Sequence, residues 1–135
     1  MHTTNYFNTF IAVAEDCPAV SAEIPLGKGE QKTVAQIHFE FLIDHPYQFS
    51  SDEVIFNTYA LKNGLQHQLE AERAVFFSKG QPCMRCSPLG KRYGWGIHSD
   101  AQGKIAIFPL ESPEYKKMST DTGLKQLKAM RSKKG

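Results

Sequence analysis

Apolar side chains fall on both faces of the segment Tyr6 to Ala14: Phe7, Thr9, Ile11 and Val13 alternate with Tyr6, Asn8, Phe10 and Ala12. A period of two with apolar groups on either side predicts a strand covered on both faces. Residues 15–31 carry Pro18, Pro25, Gly27 and Gly29 and read as a loop. Thr33 then opens a Thr-Val-Ala-Gln capping box with Gln36, and Val34, Ile37 and Phe41 share one helical face beside Leu42. Pro46 restricts His45 and ends that helix. Ser50-Ser51-Asp52-Glu53 is a second capping box, with Phe49 and Val54 at the positions of a hydrophobic staple. Its helix runs to Asn63, with Gly64 as the cap. Leu65, Leu69, Arg73 and Phe76 continue at a spacing of three or four and predict a third helix closed by Gly80.

Beyond Gly80 the pattern changes. Tyr93–Ser99 and Lys104–Leu110 are rich in β-formers, and Asp100-Ala101-Gln102-Gly103 between them predicts an antiparallel hairpin. A strand over Met84–Ser87 is expected beside it. Ser112-Pro113 is a helix start, with Ser as cap and Pro in the first turn. Leu124, Leu127 and Met130 form one stripe and Lys125, Lys128 and Arg131 another, which predicts a terminal amphipathic helix. The expected class is α+β: a small antiparallel sheet with helices packed against it. One domain over residues 1–131 and a flexible basic tail over 132–135 complete this reading.

Composition narrows the class without naming a function. The chain has 135 residues, 41% of them hydrophobic and 22% charged, which excludes a disordered or collagen-like chain. By size scaling, a folded protein of this mass exposes ~7,100 Å² and buries a core without needing disulfides. The longest apolar run is Phe10 to Ala14, too short to span a bilayer. Met1 to Asn5 lacks the basic start and apolar stretch of a secretory leader, so a cytoplasmic protein is expected, with no membrane partner. Charge is uneven. Residues 1–78 hold four basic side chains against ten acidic ones, and residues 79–135 hold twelve against four. Such asymmetry marks either an anion-binding half or two halves that neutralise one another on folding.

The chemistry-bearing residues are few. Cys83-Met84-Arg85-Cys86 is a CxxC, but neither a second CxxC nor a finger-spaced histidine pair completes a zinc site, so no metal and no cofactor are expected. A mixed set of Cys83, Cys86, His67 and His98 has no supporting spacing. A strand between Pro82 and Pro88 is also a poor setting for a redox pair, which favours a helix N-terminus. Cys17 follows Asp16, whose charge would oppose a thiolate. Asp52 and Glu53 are better explained by helix capping than by acid–base chemistry. The densest polar constellation is Arg85, Ser87, Lys91, Arg92, Tyr93, Trp95 and His98. It offers bidentate donors, aromatic faces and an imidazole. In an extended strand His98 shares a face with Gly94 and Gly96, which could open a flat ligand surface or make room for close packing.

The stretches Phe77-Ser78-Lys79-Gly80-Gln81-Pro82-Cys83 and Ser87-Pro88-Leu89-Gly90-Lys91-Arg92-Tyr93-Gly94-Trp95-Gly96-Ile97-His98, with Asn8-Thr9-Phe10-Ile11 and Glu15-Asp16-Cys17-Pro18 near the start, carry a likeness over nearly the whole chain. The sequence resembles an uncharacterised family of small bacterial single-domain proteins, a domain of unknown function. The resemblance implies a cytosolic bacterial protein. It brings no activity and no catalytic residue, and it lends no support to Cys86 as half of a pair. The leading expectation is therefore a non-enzymatic module that binds a small anionic or aromatic ligand, or a protein, through Arg85, Ser87, Lys91, Arg92, Trp95 and His98. An enzyme using His98 with Arg85 or Arg92 is the second reading. Weak nucleic-acid binding through the basic second half is the third.

Overall fold

The computed structural model describes residues 2–27 and 29–132. Five strands form one open sheet in the order β2-β4-β3-β1-β5. They are β1 (Thr9–Ala12), β2 (Phe49–Ser50), β3 (Trp95–Ser99), β4 (Lys104–Pro109) and β5 (Lys125–Lys128). All neighbours are antiparallel except β1 and β5, which run parallel. The helices are α1 (Val34–Ile43), α2 (Ser51–Lys62), α3 (Leu69–Phe76), α4 (Pro88–Lys91) and α5 (Pro113–Ser119). This is an α+β domain.

Both capping boxes form. Thr33 Oγ1 accepts from the Gln36 N–H at 3.2 Å while Gln36 Oε1 accepts from the Thr33 N–H at 2.9 Å. Ser50 and Glu53 make the same reciprocal pair at 3.2 and 3.0 Å. Each box satisfies two amides that have no carbonyl a turn back. The helix at Ser112-Pro113 and the antiparallel hairpin across Asp100–Gly103 also form.

The sheet is covered on both faces. Ile11, Trp95, Ile97, Ile105 and Ile107 point to one side and join Leu42, Val54, Met84 and Leu89 in the main core. The ring of Trp95 meets Phe39 of α1 edge-on at 5.3 Å. The register pairs Phe10 with His98 and His98 with Ala106, so these three share the opposite side with Gly96. There α5 lays Tyr115 against Phe10, their rings 5.0 Å apart.

Four expectations need correction. Residues 125–128 are not helical but form β5, because β1 would otherwise leave an unpaired edge. The N–H groups of Lys125 and Ala129 instead donate to Asn8 O and Ala12 O at 2.9 and 2.8 Å. Met84–Ser87 is not a strand: Met84–Cys86 is a 3₁₀ turn, and Ser87 caps α4 with Pro88 in its first turn. The third helix begins at Leu69, not Leu65, because Gln68 sits at φ +55° and breaks the run, and it ends at Phe76, with Phe77 rather than Gly80 as its cap. β1 starts at Thr9 because Asn8 takes φ +48°. Of the expected flexible tail, Lys133 to Gly135 lie outside the described residues, and the Ser132 N–H donates to the Asp16 carboxylate at 2.9 Å.

Candidate functional site

The Arg85–His98 constellation does not converge. His98 lies on the α5 face, whereas Trp95 points toward α1 on the other. Trp95 is 6% exposed and its indole N–H donates to Glu23 O at 2.9 Å, so it is a core residue. Arg85 sits at the sheet edge, its Nε donating to Lys128 O of β5 at 2.7 Å. The Gly-lined surface is filled. A Cβ on Gly96 would come within 2.6 Å of Phe10 Cζ and 2.7 Å of Tyr115 Cδ2. Gly94, at φ +82°, lets the loop of Ser21 and Ala22 pass where a Cβ would meet Ser21 O at 2.9 Å.

Ser87 is buried with His38. Its hydroxyl accepts from the Leu89 N–H at 3.3 Å and lies 2.8 Å from His38 Nδ1. Burial holds the His38 imidazole down at about 4, so it is neutral at physiological pH. This is the contact of a nucleophile–base couple, but Ser87 is 2% exposed and nothing can reach it. The pair satisfies two buried polar groups at the α1–α4 contact.

On the other face, His98 Nδ1 lies 2.7 Å from the Tyr47 hydroxyl, with the rings edge-on at 5.5 Å. Burial lowers the His98 pKa, against the charges of Asp100 and Asp121, which raise it. Burial and Asp100 push the Tyr47 phenol up. Tyr47 takes φ +60°, a strained conformation for an aromatic residue. Sequence spacing singles out His98 but gives no sign of Tyr47, which is brought in from the turn before β2.

Lys91 and Arg92 stay together at the end of α4. With Tyr93 and Cys86 they face the first turn of α1, at Val34 and Ala35, across a recess of about 220 Å³. Among the described residues neither cationic side chain has a hydrogen-bond or ion-pair partner. The Val34 and Ala35 amides open α1 and have no helical carbonyl behind them. A wider groove of about 850 Å³ runs along β5 past Arg85, Lys128 and Arg131. Its cations are engaged: Arg85 with Lys128 O, Lys128 with Glu15 at 3.3 Å, and Arg131 with a contact of its own.

The three cysteines are free. Cys83 is half-buried, its Sγ 3.1 Å from the Tyr6 hydroxyl, and Cys86 is exposed. Among the described residues no group of three or more His, Cys, Asp or Glu side chains is placed to hold a metal ion.

The family model of DUF6157, a family of unknown function, matches residues 1–135. The chain belongs to that family. No curated protein matches this DUF6157 chain, and no solved structure does. Among its described residues no helix is long and apolar enough to cross a membrane.

Proposed function

We propose that this DUF6157 protein binds a small anion, a carboxylate or phosphate, in the recess between α4 and α1. The observation that carries this reading is that Lys91 and Arg92, which have no partner among the described residues, line one recess with Val34 and Ala35 of the first turn of α1. A guanidinium grips such a group bidentately, an ammonium adds a point charge, and the positive end of the α1 dipole favours the same sign. Tyr93 supplies an aromatic wall. The reading keeps two of the residues singled out by sequence and leaves aside Ser87 and Trp95, which are sealed in the core, and Arg85 and His98, which lie elsewhere. An enzyme using His98 with Arg92 has no support from this arrangement, because the sheet stands between the two.

The test is a titration with inorganic phosphate, and separately with succinate, followed by amide chemical shifts. The expected result is saturable shifts at Val34, Ala35 and Tyr93 for at least one anion. Lys91→Ala with Arg92→Ala should weaken that binding about tenfold or more, the scale of one charged hydrogen bond, without changing the melting temperature. Shifts that never saturate, or that scatter over the other lysines, would refute the reading.

A further inference from the structure

Cys86 lines the same recess, and Cys83 caps the other end of the 3₁₀ turn that carries it. The 3₁₀ turn closes with the Cys86 N–H donating to Cys83 O at 2.9 Å. Such a turn brings its end Cα atoms within about 7 Å, and a disulfide bridges Cα atoms about 4.4–6.8 Å apart. Cys83 is the residue before the turn and Cys86 its third residue, the positions at which a cap side chain reaches the turn. The two thiols differ in access: Cys86 is exposed, whereas Cys83 is half-buried under the Tyr6 hydroxyl at 3.1 Å. An accessible thiol that meets a substrate and a sheltered thiol that resolves the adduct are the two parts of a dithiol exchange site.

We propose that Cys83 and Cys86 are a reversible dithiol–disulfide pair whose reaction partner is a small anionic disulfide received in the recess. The charge of that partner rests on the anion-binding reading above; the pairing of the two thiols does not. In the first step the Cys86 thiolate attacks one sulfur of the incoming disulfide. That S–S bond breaks, and one small thiolate leaves and takes a proton. In the second step Cys83 gives up its proton and its sulfur attacks Cys86 Sγ, expelling the second small thiolate, which is protonated in turn. Two electrons and two protons pass from the cysteines to the small disulfide, which departs as two thiols. Tyr6 is the positioning residue. Burial first, then the contact with Cys83, pushes its phenol up to about 12, so it keeps its proton and can donate to Cys83 Sγ as that sulfur gains charge.

The experiment uses the full chain, fully reduced, with Cys17→Ser as a parallel background. It is exposed to glutathione disulfide, which is anionic, or to bis(2-hydroxyethyl) disulfide, which is neutral, then alkylated and mapped by mass spectrometry. The expected product has Cys83 joined to Cys86, two hydrogens lighter, and reverts with dithiothreitol. Cys83→Ser should stop at a lasting mixed disulfide on Cys86, and Cys86→Ser should give no rapid adduct at Cys83. Lys91→Ala with Arg92→Ala should slow the reaction with glutathione disulfide about tenfold more than that with the neutral disulfide. Internal closure by both oxidants with no effect of these two substitutions would keep the pair but overturn the recess as its entrance. No reaction, a lasting mixed adduct in the unsubstituted chain, or a bond from either cysteine to Cys17 would overturn the pair itself.

Discussion

At His38 an imidazole is held neutral in the core, and the consequence is a pH dependence with a definite sign. Its folded pKa is about 4 against an ordinary value of 6.5. Below pH 6.5 the unfolded chain takes up a proton that the folded chain refuses. Stability therefore falls as pH drops from about 6.5 to about 4, by about 3 kcal/mol at this site. Urea titrations across that range should show the decline, and His38→Gln, which can still meet Ser87, should flatten it. An unchanged slope in the variant would show that other groups set it. Gly96 makes a second residue-scale prediction. Gly96→Ala drives a methyl into Phe10 and Tyr115, and Phe10 is wholly buried, so a loss of about 1–3 kcal/mol is expected in thermal melting. The residue identities of the candidate site were only partly legible. Lys91 and Arg92 are adjacent in sequence and stay adjacent in space. Ser87, Trp95 and His98 are scattered because a strand and a helix cap send successive side chains to different layers, which a list of nearby polar residues does not encode.

At the scale of elements, Asp52 shows a first-turn helix residue with two tasks. It sits in the acidic first turn of α2, and its carboxylate accepts from Thr3 Oγ1, Thr4 N–H and Thr4 Oγ1 at 2.7–2.8 Å. Its own amide donates to Asn5 Oδ1 at 2.9 Å. These bonds pin the segment before β1 onto α2. Asp52→Ala should cost roughly 3 kcal/mol and should speed amide exchange in residues 3–6 more than in α2. Equal loosening of both segments would mean that the carboxylate acts on the helix alone. The two capping boxes are legible because four consecutive residues carry each signal. β5 is not, because stripes at a spacing of three point to a helix, and the deciding partner is β1, far away in sequence. The 3₁₀ turn at Met84 was hidden by apolar neighbours that read as a strand, although Ser87-Pro88 carries the same helix-start signal as Ser112-Pro113.

For the whole molecule, folding interleaves the acidic and basic stretches of the chain. The ion pairs Lys104–Glu53 and Lys128–Glu15 join one stretch to the other, so part of the sequence asymmetry is neutralised at the surface. The accessible surface is 8131 Å², above the ~7,100 Å² expected for this mass. The loop between β1 and α1 is one source: Val20, Ile24 and Leu26 are 91%, 63% and 79% exposed. It is fastened midway, where the Glu23 N–H donates to Tyr93 O and the Trp95 indole donates to Glu23 O. Thermolysin should therefore cut first between Val20 and Leu26, and the emission of the single tryptophan should shift as its hydrogen bond is released. A first cut inside α1 or α2 would count against this picture. The position of β1 between β3 and β5 also governs the order of events during synthesis. β1 leaves the ribosome long before either neighbour exists; the pairs it finally makes include Thr9 with Lys125 and Ala12 with Lys128, near the far end of the chain. Until β3 and then β5 emerge, Phe10 and Ile11 have no sheet to join, and the nascent chain carries an unmatched apolar strand. Refolding of the full chain should accordingly be slow, in the range of milliseconds to seconds typical of non-local sheets, and a chain halted before residue 125 should aggregate through the bare edge of β1.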